Sequence, residues 1–345
     1  MLSARPRLDP IVVTTPPLPR AFVLGNFVQA CCWHVARLPQ AGETLEAHHL
    51  QIEPGGKGLN VAVCLQRLGV AVDTLIGCGD DAAGDALLAL LAREGLATTH
   101  VHRLAGPSGW GAGLIGADGS NCIAVHPGAN RLLTAAHAEA ARGAIEAARL
   151  VYGQFETALV AVEAAFAIAQ ARGVPTLLNP SPWQAPPEAL RAATHTVIVN
   201  EVEAVDLLAL PQPLDGTPQG AARAVAAMLA GFHAHWPAAR RLVVTLGEHG
   251  ALGAEFDDER LSMWHAPARA INAVDTLGAG DGFSSGYALA VLQGDALPMA
   301  LAWGNLCGAH VAARTGVINA LPDAQGLAAM IEQAPPAAAR QLTFE

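Results

Sequence analysis

From residue 21 onward the chain alternates short, continuous apolar runs with longer Ala- and Leu-rich stretches of helical period, and this alternation restricts the fold more than any other feature. AFVLGNFV is followed by GLNVAVCLQRLG, and VDTLIGCG by DALLALLAREG. The same succession returns in LVYGQ, ETALVAVEAAFAIAQARG, VPTLLNP, HTVIVNE, RLVVTLG and GFSSGYALAVLQG. Strand, helix, strand, helix is the order of a mostly parallel sheet with helices on both faces. TLLN, VIVN and LVVTLG are apolar throughout, as strands covered on both faces must be. The expectation is an α/β fold, a three-layer doubly wound sheet. Two stretches depart from the pattern. Residues 36–53 alternate polar and apolar around AGET, and WGAGLIGADGSNCIAVH alternates on both sides of Ala117-Asp118-Gly119, a hairpin signal. They predict a small β-sheet lid with strands from 36–53 and 108–126. Open α/β sheets bind ligands beyond the carboxyl ends of their strands, where such a flap would exclude water.

Composition allows one domain to bury this sheet. Of 345 residues, 52% are hydrophobic and 14% charged. We expect a loose arm over residues 1–20, where Pro16, Pro17 and Pro19 break any helix, and a single domain over 21–345. A formal charge of -10 argues against a nucleic-acid partner, since phosphate backbones are held by clustered Lys and Arg. No apolar run reaches the ~18 residues of a membrane span, and no signal-peptide pattern opens the chain. A cytoplasmic protein with a small-molecule partner is the expectation. The six cysteines are scattered without a C-x-x-C pair, which points to reduced thiols. His48-His49, His100-x-His102 and His233-x-His235 lack zinc-site spacing.

Two segments carry chemistry. In DTLGAGDGFSSGYALA, residues 275 to 290, Gly278-Ala279-Gly280 lead into a helix, whose unpaired N–H groups and dipole attract phosphate. Asp281 follows in the first turn. An N-cap is the ordinary reading of such an Asp, but the glycine-rich anion cradle before it favours a base. An Asp of ordinary pKa, ~3.9, is ionised at neutral pH. In EPGGKGLNVAVCLQRLG, Gly55, Gly56 and Gly58 permit close backbone approach and Asn60 opens the next helix. A tight turn alone would need the same glycines. Lys57 is no P-loop lysine, because G-x-x-x-x-G-K-[ST] is absent, and no strand-linked G-x-G-x-x-G suggests a dinucleotide enzyme.

Together, in this order and spacing, the two segments resemble the paired signatures of the ribokinase-like (PfkB) sugar and nucleoside kinases. GCGDDAAGD, HPGAN, NPSP, NEVE and TLGEHG resemble further landmarks, so the resemblance runs from Ala21 to about Pro322. It implies an ATP-dependent carbohydrate kinase that phosphorylates a hydroxymethyl group of a monosaccharide or analogue. By it, Asp281 is the catalytic base and Gly278, Ala279 and Gly280 form the anion hole. Gly56, Lys57, Asn60 and Glu156 face the sugar. Asn200 and Glu203, the N-x-x-E pair, organise Mg²⁺ and the phosphates of the nucleotide through water. Thr245, Gly247 and Gly250 line the nucleotide, and Asn305 flanks the adenine. Asp275, with the backbone near Gly316 and Asn319, matches the monovalent-cation (K⁺) site of some members. Some relatives also form homodimers through the lid.

The match breaks on the first strand, where Val28 and Ala30 stand at positions that the resemblance would fill with Asn and a hydroxyl-gripping Asp. Ribose specificity is thereby put in doubt. Trp33 and Trp110 pack the lid or an interface on the ordinary reading, or offer an aromatic surface to a ligand. Three alternatives stay open: a nucleoside kinase, a phosphosugar kinase, for which the lid offers only Arg37 as a basic group, and a non-catalytic nucleotide or sugar sensor.

Overall fold

Alternation on the first strand shows how the chain builds two cores at once. Ala21 and Val23 point to one side, Phe22 and Leu24 to the other, and all four are buried. The computed structural model describes residues 18–118, 120–214, 217–257 and 260–343; most of the expected arm, residues 1–17, and Gly119 of the expected hairpin turn lie outside them. The strands are β1 (Arg20–Leu24), β2 (Val28–Val35), β3 (His49–Gly55), β4 (Ala71–Gly79), β5 (Val101–Leu104), β6 (Gly109–Gly116), β7 (Asn121–His126), β8 (Leu150–Gln154), β9 (Thr176–Asn179), β10 (Thr196–Asn200), β11 (Arg241–Thr245), β12 (Ala251–Asp257), β13 (Arg260–Ala266) and β14 (Arg340–Leu342). The helices are α1 (Lys57–Arg67), α2 (Ala82–Arg93), α3 (Ala135–Ala140), α4 (Arg142–Ala147), α5 (Leu159–Arg172), α6 (Glu188–Ala192), α7 (Glu201–Leu207), α8 (Pro218–His235), α9 (Ala279–Gln293), α10 (Leu297–Ala312) and α11 (Ala324–Gln333).

Among the described residues the main sheet has ten strands in the order β14-β13-β12-β11-β10-β9-β8-β1-β4-β5. It is parallel from β11 to β5. β12, β13 and β14 extend it antiparallel. α1, α2, α9 and α10 cover one face; α3 to α8 cover the other. β1 pairs with β4 on one side and β8 on the other, so the winding reverses there and opens a crevice at the carboxyl ends.

A second sheet of four strands, β3-β2-β6-β7, forms the lid. Its position corrects the expectation for 36–53. Residues 36–48 contain no strand, and the lid begins earlier, at Val28. AFVLGNFV is therefore not one strand. The Asn130 side chain takes both backbone groups of Phe27: Oδ1 accepts its N–H at 2.8 Å and Nδ2 donates to its carbonyl at 2.7 Å. With those groups satisfied, the main-sheet ladder ends and the chain turns up into β2. The antiparallel extension went unread in the sequence because its strands mix small, polar and apolar residues without the continuous hydrophobicity of β9 to β11.

Candidate active site

Gly278 caps α9 in the left-handed conformation (φ 77°), which presents the first turn of the helix toward the crevice. A Cβ built on Gly280 would meet nothing within 4 Å, so this turn faces open space. One residue further, Asp281 is 93% buried. Asn60 Nδ2, from the first turns of α1, donates to Asp281 Oδ2 at 2.6 Å. Burial raises the Asp281 pKa, against the opposing pull of Lys57 and the Asn60 hydrogen bond, to about 6. This corrects the ordinary value assumed from sequence: the group is ionised at pH 7 but titrates far closer to it.

The turn between β3 and α1 supplies the other polar groups. Gly56 has φ 126°, and a side chain there would run into the Asn26 carbonyl. Asn26 itself, fully buried at the break between β1 and β2, is a hub that sequence reasoning missed. Its Oδ1 accepts from Gly58 N at 2.9 Å and its Nδ2 donates to Glu156 Oε2 at 2.8 Å, so it fixes the glycine turn and the acid together. Its signal was a lone amide interrupting the apolar run AFVLGNFV. Gln154, buried at the end of β8, accepts from Glu156 N and sets the acid from the other side. Lys57 Nζ stands 4.0 Å from Glu156 Oε1. Burial alone would lower the Lys57 pKa; Asp281, Glu156 and Glu203 outweigh it and hold the ammonium above its ordinary value. Among the described residues, buried Asn60 Oδ1 has no hydrogen-bond partner. A buried acceptor left open beside a carboxylate has the chemistry to take a hydroxyl donor.

The remaining sequence-predicted residues lie along the same edge. Asn200 and Thr245 are register partners at the carboxyl ends of β10 and β11, and Gly247 and Gly250 (φ 52° and 93°) shape the following turn. Asn200 and Glu203 cap α7 reciprocally, Asn200 Oδ1 accepting from Glu203 N at 2.8 Å and Glu203 Oε2 from Asn200 N at 3.0 Å. Gly250 packs too close to the Ala266 carbonyl for any Cβ, and Asn305 Nδ2 donates to the Ala266 and Pro267 carbonyls at 2.9 and 3.1 Å. Both residues hold the loop after β13. Asp275 Oδ1 accepts from Leu277 N at 2.9 Å and Oδ2 from Gly316 N at 3.4 Å, beside the glycine cradle.

The family described as pfkB carbohydrate kinase matches residues 21–324. The chain belongs to the pfkB family of carbohydrate kinases. This family's members are phosphotransferases with an alcohol acceptor. Ribokinase of Haemophilus influenzae is 28% identical over 305 residues, covering 87% of this chain and 95% of its own length. Deoxyribokinase of Salmonella typhi is 32% identical over 268 residues, covering 77% and 83%. Arabidopsis thaliana ribokinase, solved with ribose and ATP, superposes with a TM-score of 0.80 at 24% identity over 91% of this chain and 99% of its own, a likeness of fold. Among the described residues, no helix of this pfkB kinase is long and apolar enough to cross a membrane.

The lid's register decides which of its residues this kinase turns toward the crevice. Glu53 reaches Val317 on the main body, with its Oε1 accepting from Val317 N. Ala30 lies opposite Glu53 and Gly111, and Val28 opposite Gly55 and Gly109, so Val28 and Ala30 share the crevice side. Trp33 and Trp110 lie in the alternate register, on the outer side.

Proposed function

We propose that this kinase transfers the γ-phosphate of ATP to a hydroxymethyl group of a monosaccharide, with Asp281 as the base. The observation that carries this reading is the Asp281 carboxylate: buried, held by Asn60, raised to about 6, and placed one residue beyond the open face of Gly280. A base poised near the operating pH takes a hydroxyl proton as the bond to phosphorus forms. Phosphoryl transfer asks little covalent chemistry of a protein, so alignment and charge stabilisation do the rest. The N–H groups around Gly278, Ala279 and Gly280 cradle the transferred phosphoryl, Ala279 N exchanging for it the 3.2 Å bond it donates to the Thr276 carbonyl. Gly56, Lys57, Asn60 and Glu156 grip the sugar hydroxyls. Thr245, Gly247 and Gly250 wall the nucleotide, and Asn305 holds the loop beside it.

Mg²⁺ fits the donor set. Among the described residues no cluster of three or more His, Cys, Asp or Glu could hold a metal alone. Mg²⁺ on nucleotides keeps most of its waters and needs only one or two protein oxygens. Glu203 and Asn200 would hold it through water, where it neutralises phosphate charge. For K⁺, the Asp275 carboxylate keeps acceptor capacity beside the backbone near Gly316, since each of its oxygens accepts a single N–H group.

At Val28 and Ala30 the crevice side of the lid offers no polar atom, which favours a sugar lacking a hydroxyl at that point. With a deoxyribokinase among the 32%-identical relatives, a deoxypentose is the first sugar to test. Trp33 and Trp110 face away from the crevice, which takes aromatic support from the nucleoside reading. Arg37 is paired with Glu43 at 2.7 Å, which takes the basic group from the phosphosugar reading. The test is coupled ADP release with MgATP against deoxypentoses, pentoses, hexoses, nucleosides and sugar phosphates. Turnover with deoxypentoses ahead of the rest is expected. ATP binding with silence across the panel would favour a sensor and overturn the kinase assignment.

A further inference from the structure

One lid strand touches the main body where the anion cradle is built. β3 carries Glu53 toward the 316–317 loop, and Glu53 Oε1 accepts from Val317 N at 3.1 Å across 264 residues of sequence. Gln51, on the same side of β3, stands close to Gly316, its Nε2 3.2 Å from where a Cβ would be. Val317 in turn backs the cradle: its Cγ1 lies 2.9 Å from the position a Cβ on Gly278 would take. The same loop is held from below by Asp275, which accepts from Gly316 N and from Leu277 N, the residue before Gly278. Two carboxylates, one from the lid and one from the cradle segment, thus fix adjacent peptide groups. Among the described residues Glu53 has no ion-pair partner, so its contact is a charge-assisted bond to one backbone N–H rather than a salt bridge.

We propose that Glu53 is a positioning residue for phosphoryl transfer. Through Val317 it ties the lid to the wall of the Gly278 cradle, so that covering the sugar and firming the phosphate site become one event. A lid that merely excluded water would need no such polar tie, and a half-buried carboxylate surrenders part of its hydration to make it. The proposal rests on the kinase reading above, and its test separates the two.

Glu53→Met keeps the length of the side chain and removes the acceptor; Glu53→Gln keeps an acceptor and removes the charge. On the full chain, with the sugar that wild type turns over, Glu53→Met should lower kcat about tenfold while KM for ATP stays within about twofold. Glu53→Gln should recover most of that loss. Hydrogen exchange of the peptide covering 312–320 should quicken in Glu53→Met and stay near wild type in Glu53→Gln, independent of any turnover. Wild-type kcat and unchanged exchange in Glu53→Met would overturn the positioning role and leave the kinase reading standing. A Gln variant as impaired as the Met variant would also overturn it, since charge rather than the bond to Val317 would then be at work. Absence of turnover in wild type would bring down the kinase reading and this role with it.

Discussion

Asp281 meets opposing demands, and they have measurable consequences. Its burial disfavours the charged form while Lys57 and Asn60 favour it, and the balance leaves the pKa at about 6. The active form of a base is deprotonated, so kcat/KM should fall as pH drops through about 6, and the acid limb of a pH profile measures it. Asp281→Asn should bind nucleotide and sugar yet lose about 10²–10⁴ in kcat. The same shift carries a stability cost. A carboxyl whose folded pKa exceeds its unfolded value binds its proton more tightly when folded, so the penalty grows as pH rises from about 4 to about 6 and is full above that. Removing the charge should therefore stabilise the protein at pH 7–8 by about 2–3 kcal/mol, with the gain vanishing near pH 4, as read by denaturant unfolding at several pH values. Asn26 works the other way. Asn26→Ala leaves Gly58 N and one Glu156 oxygen without their partner, and should cost about 2–3 kcal/mol in denaturant unfolding and raise KM for the sugar.

At the scale of elements, the turn between β3 and α1 is where local conformation and chemistry coincide. Gly56 holds a φ of 126° with the Asn26 backbone against it, and Lys57 and Asn60 follow on the first turns of α1. Gly56→Ala would have to displace Asn26, and with it Glu156; sugar turnover should fall at least about a hundredfold, with unfolding free energy down by about 2 kcal/mol or more. The counter-example is Gly280, where a Cβ meets open space: Gly280→Ala should keep stability within about 0.5 kcal/mol while weakening phosphate transfer by intruding on the cradle. Differential unfolding and steady-state kinetics on the two variants separate a glycine required by the fold from one that leaves room for a ligand.

For the molecule as a whole, the outer side of the separate lid sheet carries a group of exposed apolar side chains. Ile52 is 56% exposed, Leu50 48% and Trp110 44%. Such a patch suits a second copy of the chain. Ile52→Lys with Trp110→Ser should shift the sedimenting species toward monomer while leaving the crevice residues in place; an unchanged mass would dispose of a lid-mediated dimer. Sequence by itself determined the parallel α/β sheet, since buried strands must be apolar on both faces, and the placing of Asp281 behind glycines at a helix start, since both stand within one short run of the chain. It also marked the hairpin of the lid, because period-two alternation survives without tertiary context. Only the tertiary structure decided where β1 ends, because Asn130, a hundred residues away, takes the Phe27 backbone. It alone decided which side of β2 faces the crevice, since register depends on pairing with β3 and β6. And it alone set the Asp281 pKa, because desolvation depends on what the whole chain packs around a group rather than on its neighbours in sequence.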